Sequence, residues 1–226
     1  MLAVLLPSQS VEVGSAARNE AQTLKHFADE FGARIVEDFR FSMDLTRVFE
    51  ASAILPANQA HASLDDVVRQ IRATDCWEAS RGEGVLVAVV DTGINGMRPE
   101  FPAWKRVGAW QESGDPWVDP HGHGTMCASI AAGTRAEGGR FDGVAPRAGL
   151  VACRTEFFDS QLTLIYDYLR DLSASTGKRI VATNSFGLAT GSPPDPPDLM
   201  VTSALSDAIE AGIVVCFSAG NSQELT

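Results

Sequence analysis

The sequence predicts a doubly wound α/β fold: a mostly parallel sheet with flanking helices, preceded by a small α+β unit. Three observations predict it. Short apolar runs recur at Val85–Val90, Gly149–Cys153, Arg179–Thr183 and Gly212–Phe217. They are apolar on both faces, as strands covered by helices on both sides must be. Helical stretches lie between them, and alternation of strands with helices calls for a parallel sheet. Finally, polar turns follow three of the runs: "DTG" after Val90, "NSFG" after Thr183 and "SAGN" after Phe217. In an open α/β sheet the site lies beyond the carboxyl ends of the strands, so these turns should converge on one edge.

The elements can be justified in order. "LAVLL" near the start reads as a strand. "SAARNEAQTLKHFADEFG" reads as a helix, with Leu24, Phe27 and Phe31 at helical spacing and Gly32 as its stop. "ARIVEDFRF" and "RVFEASAIL" resemble two more strands. Residues 1–63 therefore form the small α+β unit, and polar, small "PANQAHAS" (56–63) reads as a linker to a second domain over 64–226. In that domain "SQLTLIYDYLRDLSAS" carries Leu162, Ile165, Leu169 and Leu172 on one helical stripe. "DLMVTSALSDAIEAG" carries Val201, Leu205, Ala208 and Ile209, with Gly212 where a C-terminal stop belongs.

Composition narrows the function. The chain has 226 residues and a net charge of -11, from 18 basic and 29 acidic side chains. Such a balance argues against nucleic acid as a partner, because nothing offsets phosphate repulsion. No apolar stretch approaches the ~20 residues of a membrane span. "MLAVLLPSQS" lacks a basic n-region and has too short an apolar run for a signal peptide, so the chain is expected to be cytoplasmic. The four cysteines, Cys76, Cys127, Cys153 and Cys216, show no metal-ligand spacing and are expected as free thiols.

The chemistry concentrates in "DPHGHGTMCASIAAG", residues 119–133. Asp91 ends an apolar strand, where a carboxylate needs a partner to offset its desolvation. His123 supplies one if the helix starting there packs beside that strand, and Gly124, Ala128, Ala131 and Ala132 are small enough to permit it. A histidine in a first helical turn feels the positive end of the dipole, which favours neutral imidazole. Neutral imidazole is what a general base must be, and a carboxylate on its other nitrogen would fix the tautomer. The His121-Gly122-His123 spacing, with Asp119 and Asp91, also admits a metal reading, though no further histidine lies nearby.

Together "VAVVDTGI", "GHGTMCASIAAG", "GVAPRAGLVACR", "NSFG" and "VVCFSAGN" resemble the subtilisin-like serine proteases, from about Ile71 to Asn221. The resemblance implies a subtilisin-like fold and hydrolysis of polypeptide substrates through an Asp-His-Ser triad. It makes Asp91 the orienting carboxylate, His123 the base and Asn221 the oxyanion donor. Ser185, Phe186 and Gly187 match the segment that pairs with substrate backbone, and Ser218, Ala219 and Gly220 match the wall of the first specificity pocket. Small side chains there imply room for a sizeable apolar substrate residue. His121 falls outside the motif and reads as a loop residue at the cleft mouth. Cys127 sits where some members carry a cysteine and reads as packing.

The sequence departs from the family in three ways. The family's Gly-Thr-Ser nucleophile motif does not occur, and Ser129, Ser218 and Ser222 do not stand at a turn leading into a helix. The serine is thus expected outside this chain, as in a truncated domain or a two-chain protease, or lost, as in a peptide-binding pseudoprotease. Glu100 stands where many relatives hold a calcium ligand, but the loop after the histidine helix lacks the rest of that site. No metal and no cofactor are expected. "TEFFDSQ" after Arg154 lacks the usual glycine-rich edge. Residues 1–63 have the size of a propeptide, with a docking domain as the alternative.

Overall fold

The structure is a computed structural model that describes residues 2–6, 9–13, 34–37, 41, 63–187 and 199–218. Two sheets are present among the described residues. The first is antiparallel, built from β1 (Leu2–Leu6), β2 (Gln9–Val13) and β3 (Arg34–Glu37) in the order β2-β1-β3. The strands expected at 2–6 and within 33–41 are there; β2 is an addition, since "QSVEV" carries only two apolar residues. The helix expected before Gly32, the strand expected over 47–55 and most of the linker lie outside the described residues.

The second sheet has five strands: β4 (Val85–Asp91), β5 (Arg106–Trp110), β6 (Gly149–Arg154), β7 (Arg179–Asn184) and β8 (Val214–Phe217). Their order is β5-β6-β4-β7-β8 and every pairing is parallel. Parallel neighbours require crossovers. Here they are α3 (His123–Ala132), α4 (Asp159–Thr176) and α5 (Met200–Glu210), while short α1 (Leu64–Gln70) and α2 (Ala73–Cys76) lead into β4. α1 opens with a capping box, Ser63 and Asp66 each taking the other's backbone N–H.

Successive strand residues point to opposite faces, and β4 shows the consequence. Leu86, Ala88 and Val90 enter one core with Leu162, Ile165, Tyr166 and Leu169 of α4 and Val201, Ala204 and Ala208 of α5. Val87 and Val89 enter the other with Ala128 and Ala132 of α3. Asp91 shares their parity, so the strand delivers its carboxylate to the α3 side. The α4 stripe is as predicted, with Leu172 at its half-buried end. The α5 stripe needs a correction. Ile209 is 58% exposed, because it lies one step past Ala208 and rotates off the buried face. Gly212 does follow the helix with φ +87. β8 forms an edge of the described sheet, with Val214 and Phe217 half-exposed.

Buried Lys105 anchors the lead-in to β5. Its ammonium donates to the carbonyls of Pro146 (2.9 Å) and Ala148 (2.6 Å) just before β6. Burial lowers its pKa to about 8, the expected direction for a desolvated cation.

Candidate active site

β4 ends at the centre of the sheet, and its last residue, Asp91, is 1% exposed. α3 starts beside it because two glycines remove what would keep them apart. A Cβ on Gly124 would stand 2.2 Å from the Gly93 carbonyl oxygen and 3.0 Å from Asp91 Cβ. Gly93 itself has φ +111 and packs against the Val118 carbonyl, a conformation that costs glycine nothing. Ala128 and Ala132 are fully buried one and two turns further on.

At this junction His123 Nδ1 lies 2.8 Å from Asp91 Oδ1 and 3.0 Å from Oδ2. The Thr92 N–H donates to Oδ1 at 2.8 Å. Nδ1 thus carries the proton given to Asp91. Nε2 has no hydrogen-bond partner among the described residues, and no buried side-chain polar atom there lacks one. Nε2 therefore faces solvent, and the His123 side chain is 11% exposed. A ring with its tautomer set on one nitrogen and the other open can take a proton from a reacting group.

The dipole at the helix start favours the neutral ring that a base requires, and contact with Asp91 opposes it. The hydrogen bond that Nδ1–H donates to Asp91 raises the His123 pKa well above its ordinary 6.5, Cys127 adds to it, and burial opposes both. A carboxylate in contact outweighs a helix dipole worth ~0.3–1 kcal/mol.

Cys127, one turn along α3, has Sγ 3.9 Å from His123 Nδ1 and 3.4 Å from Ser185 Oγ. The thiol faces the nitrogen already committed to Asp91, an arrangement for packing. Asp91, His123 and Cys127 offer three atoms within 4.8 Å of one another, the set among the described residues that could hold an ion. Asp119 is not in it: its oxygens accept from His121, Gly122, Thr125 and Thr92. Glu100 is buried, with its oxygens taken by Arg98 Nε (3.3 Å) and the Arg140 N–H (3.0 Å).

β7 brings the second segment. Asn184 has the parity that faces α4; its side chain accepts from Tyr166 Oη at 2.9 Å and donates to the Cys216 carbonyl at 3.0 Å. It thereby stitches β7 to β8 just before Ser185. Ser185 is half-buried beside Cys127, Phe186 is buried and Gly187 is exposed. The Phe186 ring packs against Phe157, Phe217 and Phe41, with centroids 5.1, 5.8 and 5.8 Å away. The Phe41 N–H also donates to the Phe157 carbonyl at 2.8 Å. Ser218 continues the β7–β8 ladder through its N–H to the Asn184 carbonyl at 3.0 Å. Ala219, Gly220, Asn221 and Ser222 lie outside the described residues.

The remaining sequence candidates are placed apart from Nε2 chemistry. His121 is exposed, its ring 6.4 Å from that of His123. Ser129 is half-buried, and its hydroxyl donates back to the Thr125 carbonyl at 2.8 Å. A groove of about 830 Å³ lined by Trp77, Arg81, Arg135 and Arg147 shares no residue with this cluster. Two contributors have roles that the sequence reading did not give them: Asn184, which opens the "NSFG" turn, and Asp119, considered only as a metal ligand. A carboxylate just ahead of a helix is a capping signature that could have flagged Asp119; no local signal marks Asn184.

Comparison with known proteins identifies relatives of this arrangement. A family model described as the subtilase family (peptidase S8) matches residues 82–226. The intracellular serine protease of Paenibacillus polymyxa is 32% identical over 161 residues, 68% of this chain and 47% of that protein. Mycosin-3 of Mycobacterium tuberculosis is 46% identical over 78 residues, 34% of this chain and 16% of that protein. Among solved structures, the MycP3 protease from the type VII (ESX-3) secretion system aligns with a TM-score of 0.53 at 26% identity. That alignment covers 82% of this chain and 51% of MycP3. The chain thus spans about half or less of the relatives it matches.

Proposed function

The chain belongs to the subtilase family, and from that premise we propose that it carries the base half of a serine endopeptidase. One observation bears most of the weight. A buried Asp91 and a part-exposed His123, 2.8 Å apart, stand where the central parallel strand ends, with Nε2 left open.

In this reading a serine hydroxyl approaches Nε2, and His123 accepts its proton as the oxygen attacks the peptide carbonyl. Asp91 holds the ring through Nδ1 and stabilises the imidazolium that forms. Asn221 donates to the oxyanion of the tetrahedral intermediate. The intermediate collapses as His123 returns the proton to the departing amine, and water repeats the sequence on the acyl-enzyme. Substrate backbone adds as a strand along Ser185–Gly187, and Ser218, Ala219 and Gly220 wall the pocket for the residue before the cut. The nucleophilic serine comes from outside these 226 residues, from the rest of a longer polypeptide or a second chain, so this chain alone is inactive. Residues 1–63 serve as a propeptide; the Phe41 contacts to Phe157 and Phe186 support this by bringing the N-terminal unit to the substrate segment.

Fluorophosphonate labelling of the natively purified protein, with all that co-purifies, followed by intact mass of each chain, tests this reading. The expected result is one labelled serine, on a longer form of this chain or on a partner, with cleavage between residues 56 and 70. No label on any species of a folded, soluble preparation would sink the protease reading and leave a peptide-binding pseudoprotease.

A further inference from the structure

α3 begins without a cap of its own. Its N-cap position is Gly122, at φ 93, which has no side chain to offer the first-turn N–H groups. Two side chains from outside the helix take that role. Thr92, next to Asp91, accepts the Gly124 N–H on its hydroxyl at 3.0 Å. Asp119 accepts the Thr125 N–H on Oδ2 at 2.8 Å.

Asp119 does more than cap. Its Oδ1 also accepts the N–H groups of His121 (3.1 Å) and Gly122 (2.8 Å), and the Thr92 hydroxyl (2.8 Å). Its Oδ2 accepts the Thr125 hydroxyl at 2.6 Å, and that hydroxyl in turn accepts the Asn95 N–H at 2.9 Å. One carboxylate therefore ties three segments: the turn leaving β4, the loop carrying His121 and the first turn of α3. His123 lies between its contacts.

The Thr92 hydroxyl has a single proton and two carboxylates in range, Asp119 Oδ1 at 2.8 Å and Asp91 Oδ1 at 3.3 Å. Given to Asp119, the proton leaves Asp91 Oδ1 to the Thr92 N–H and His123 Nδ1. Given to Asp91, it would compete with Nδ1 for the same oxygen and weaken the bond that sets the tautomer.

We propose that Asp119 is a positioning residue for the base: by holding the Thr92 hydroxyl and the start of α3, it fixes the Asp91–His123 hydrogen bond in register. The proposal rests on the reading of His123 as base. Asp119 is suited to it electrostatically. Burial pushes its pKa up, but hydrogen bonds from Thr125, Gly122 and Thr92 outweigh this and hold it below the ordinary value. All five of its contacts are donors, so asparagine cannot replace it: the amide nitrogen would confront either Thr125 or the Thr92, His121 and Gly122 groups.

The test is NMR of the full chain with ¹⁵N-labelled histidine, reading the His123 Nδ1–H proton and the ring tautomer. Asp119→Asn is expected to broaden or displace that proton and alter the tautomer signature. Asp159→Asn is the control. Asp159, fully buried where Asp119 is half-buried, caps α5 through Met200 N (2.7 Å) and Val201 N (2.9 Å). It should cost stability and leave the His123 signals in place. Wild-type His123 signals in Asp119→Asn would overturn the proposal and make Asp119 a helix cap like Asp159. If Asp119→Asn does not fold, Thr92→Val and Thr92→Ser decide: Val should displace the His123 proton and Ser restore it, and unchanged signals in Val would overturn the proposal. The readout needs no hydrolysis, so a missing fluorophosphonate label would count against the protease reading alone.

Discussion

The two faces of β4 are built from different kinds of side chain, and the difference separates holding the fold from holding the site. Toward α4 and α5 the strand meets Leu162, Ile165, Tyr166 and Leu169, large groups that fill the layer. Toward α3 it meets Ala128 and Ala132, with Gly124 where strand and helix come closest. Large side chains contribute more buried apolar area, roughly 25 cal/mol per Å². Small ones contribute less but bring the α3 backbone close enough for a histidine at its start to reach a carboxylate at the strand's end. The larger apolar cluster lies on one side of the sheet and the Asp91–His123 pair on the other.

Paired substitutions break that comparison most sharply. Ile165→Ala, on the α4 side, should cost about 2–5 kcal/mol through the cavity it leaves and keep the His123 Nδ1–H proton visible. Gly124→Ala should cost less, about 1–3 kcal/mol, yet abolish that proton, because its Cβ must push the Gly93 carbonyl away. Urea denaturation with the histidine spectrum of each variant checks both. The idea of divided faces would be wrong if Ile165→Ala moved the dyad signal and Gly124→Ala did not.

How much of this was legible in sequence follows from the same division. β4 and β6 could be read because burial on both faces leaves apolar runs with little else in them, and β7, half-buried on one face, keeps enough of that pattern to follow. β5 could not: Arg106–Trp110 is a sheet edge with exposed Arg106 and Ala109, and its Gly108 weakens the strand pattern. α1 carries one fully buried residue, Val68, too little for a stripe. The Asp91–His123 pairing was legible because each stands at the end of a recognisable element. Asp119 was legible as a cap, since His121, Gly122 and Thr125 are its near neighbours in sequence, but its link to the Thr92 hydroxyl is one that only the fold makes. The direction of the His123 shift was misjudged because position in a helix can be read locally, whereas the weight of a carboxylate at 2.8 Å cannot.

A smaller effect sharpens the electrostatic part. Asp91→Asn removes the main cause of the raised His123 pKa, so its titration midpoint should fall by about 1–3 on the pH scale. The sign for stability follows by linkage. A raised folded-state value stabilises fully below the unfolded midpoint near 6.5 and is lost as pH rises through the folded one. The stability gap between wild type and Asp91→Asn should therefore be widest near pH 6 and narrow at higher pH. A gap that widens with pH would contradict the assignment.

The smallest expected effect concerns Cys127, which touches both halves of the site. Its thiol donates to Ser185 Oγ at 3.4 Å and reaches His123 Nδ1 at 3.9 Å. Both contacts are long, and sulfur is a weak hydrogen-bonding partner. Cys127→Ala should cost below about 1 kcal/mol, as a half-exposed thiol removes little buried area. It should lower the His123 midpoint slightly, because Cys127 ranks behind Asp91 among the causes that raise it. Fluorophosphonate labelling in the complete assembly should persist, since a serine approaching Nε2 does not pass the thiol on the Nδ1 side. A large drop in the midpoint, or loss of labelling with the Asp91–His123 proton intact, would give the thiol a direct part in the chemistry and blur the line drawn here between packing and catalysis.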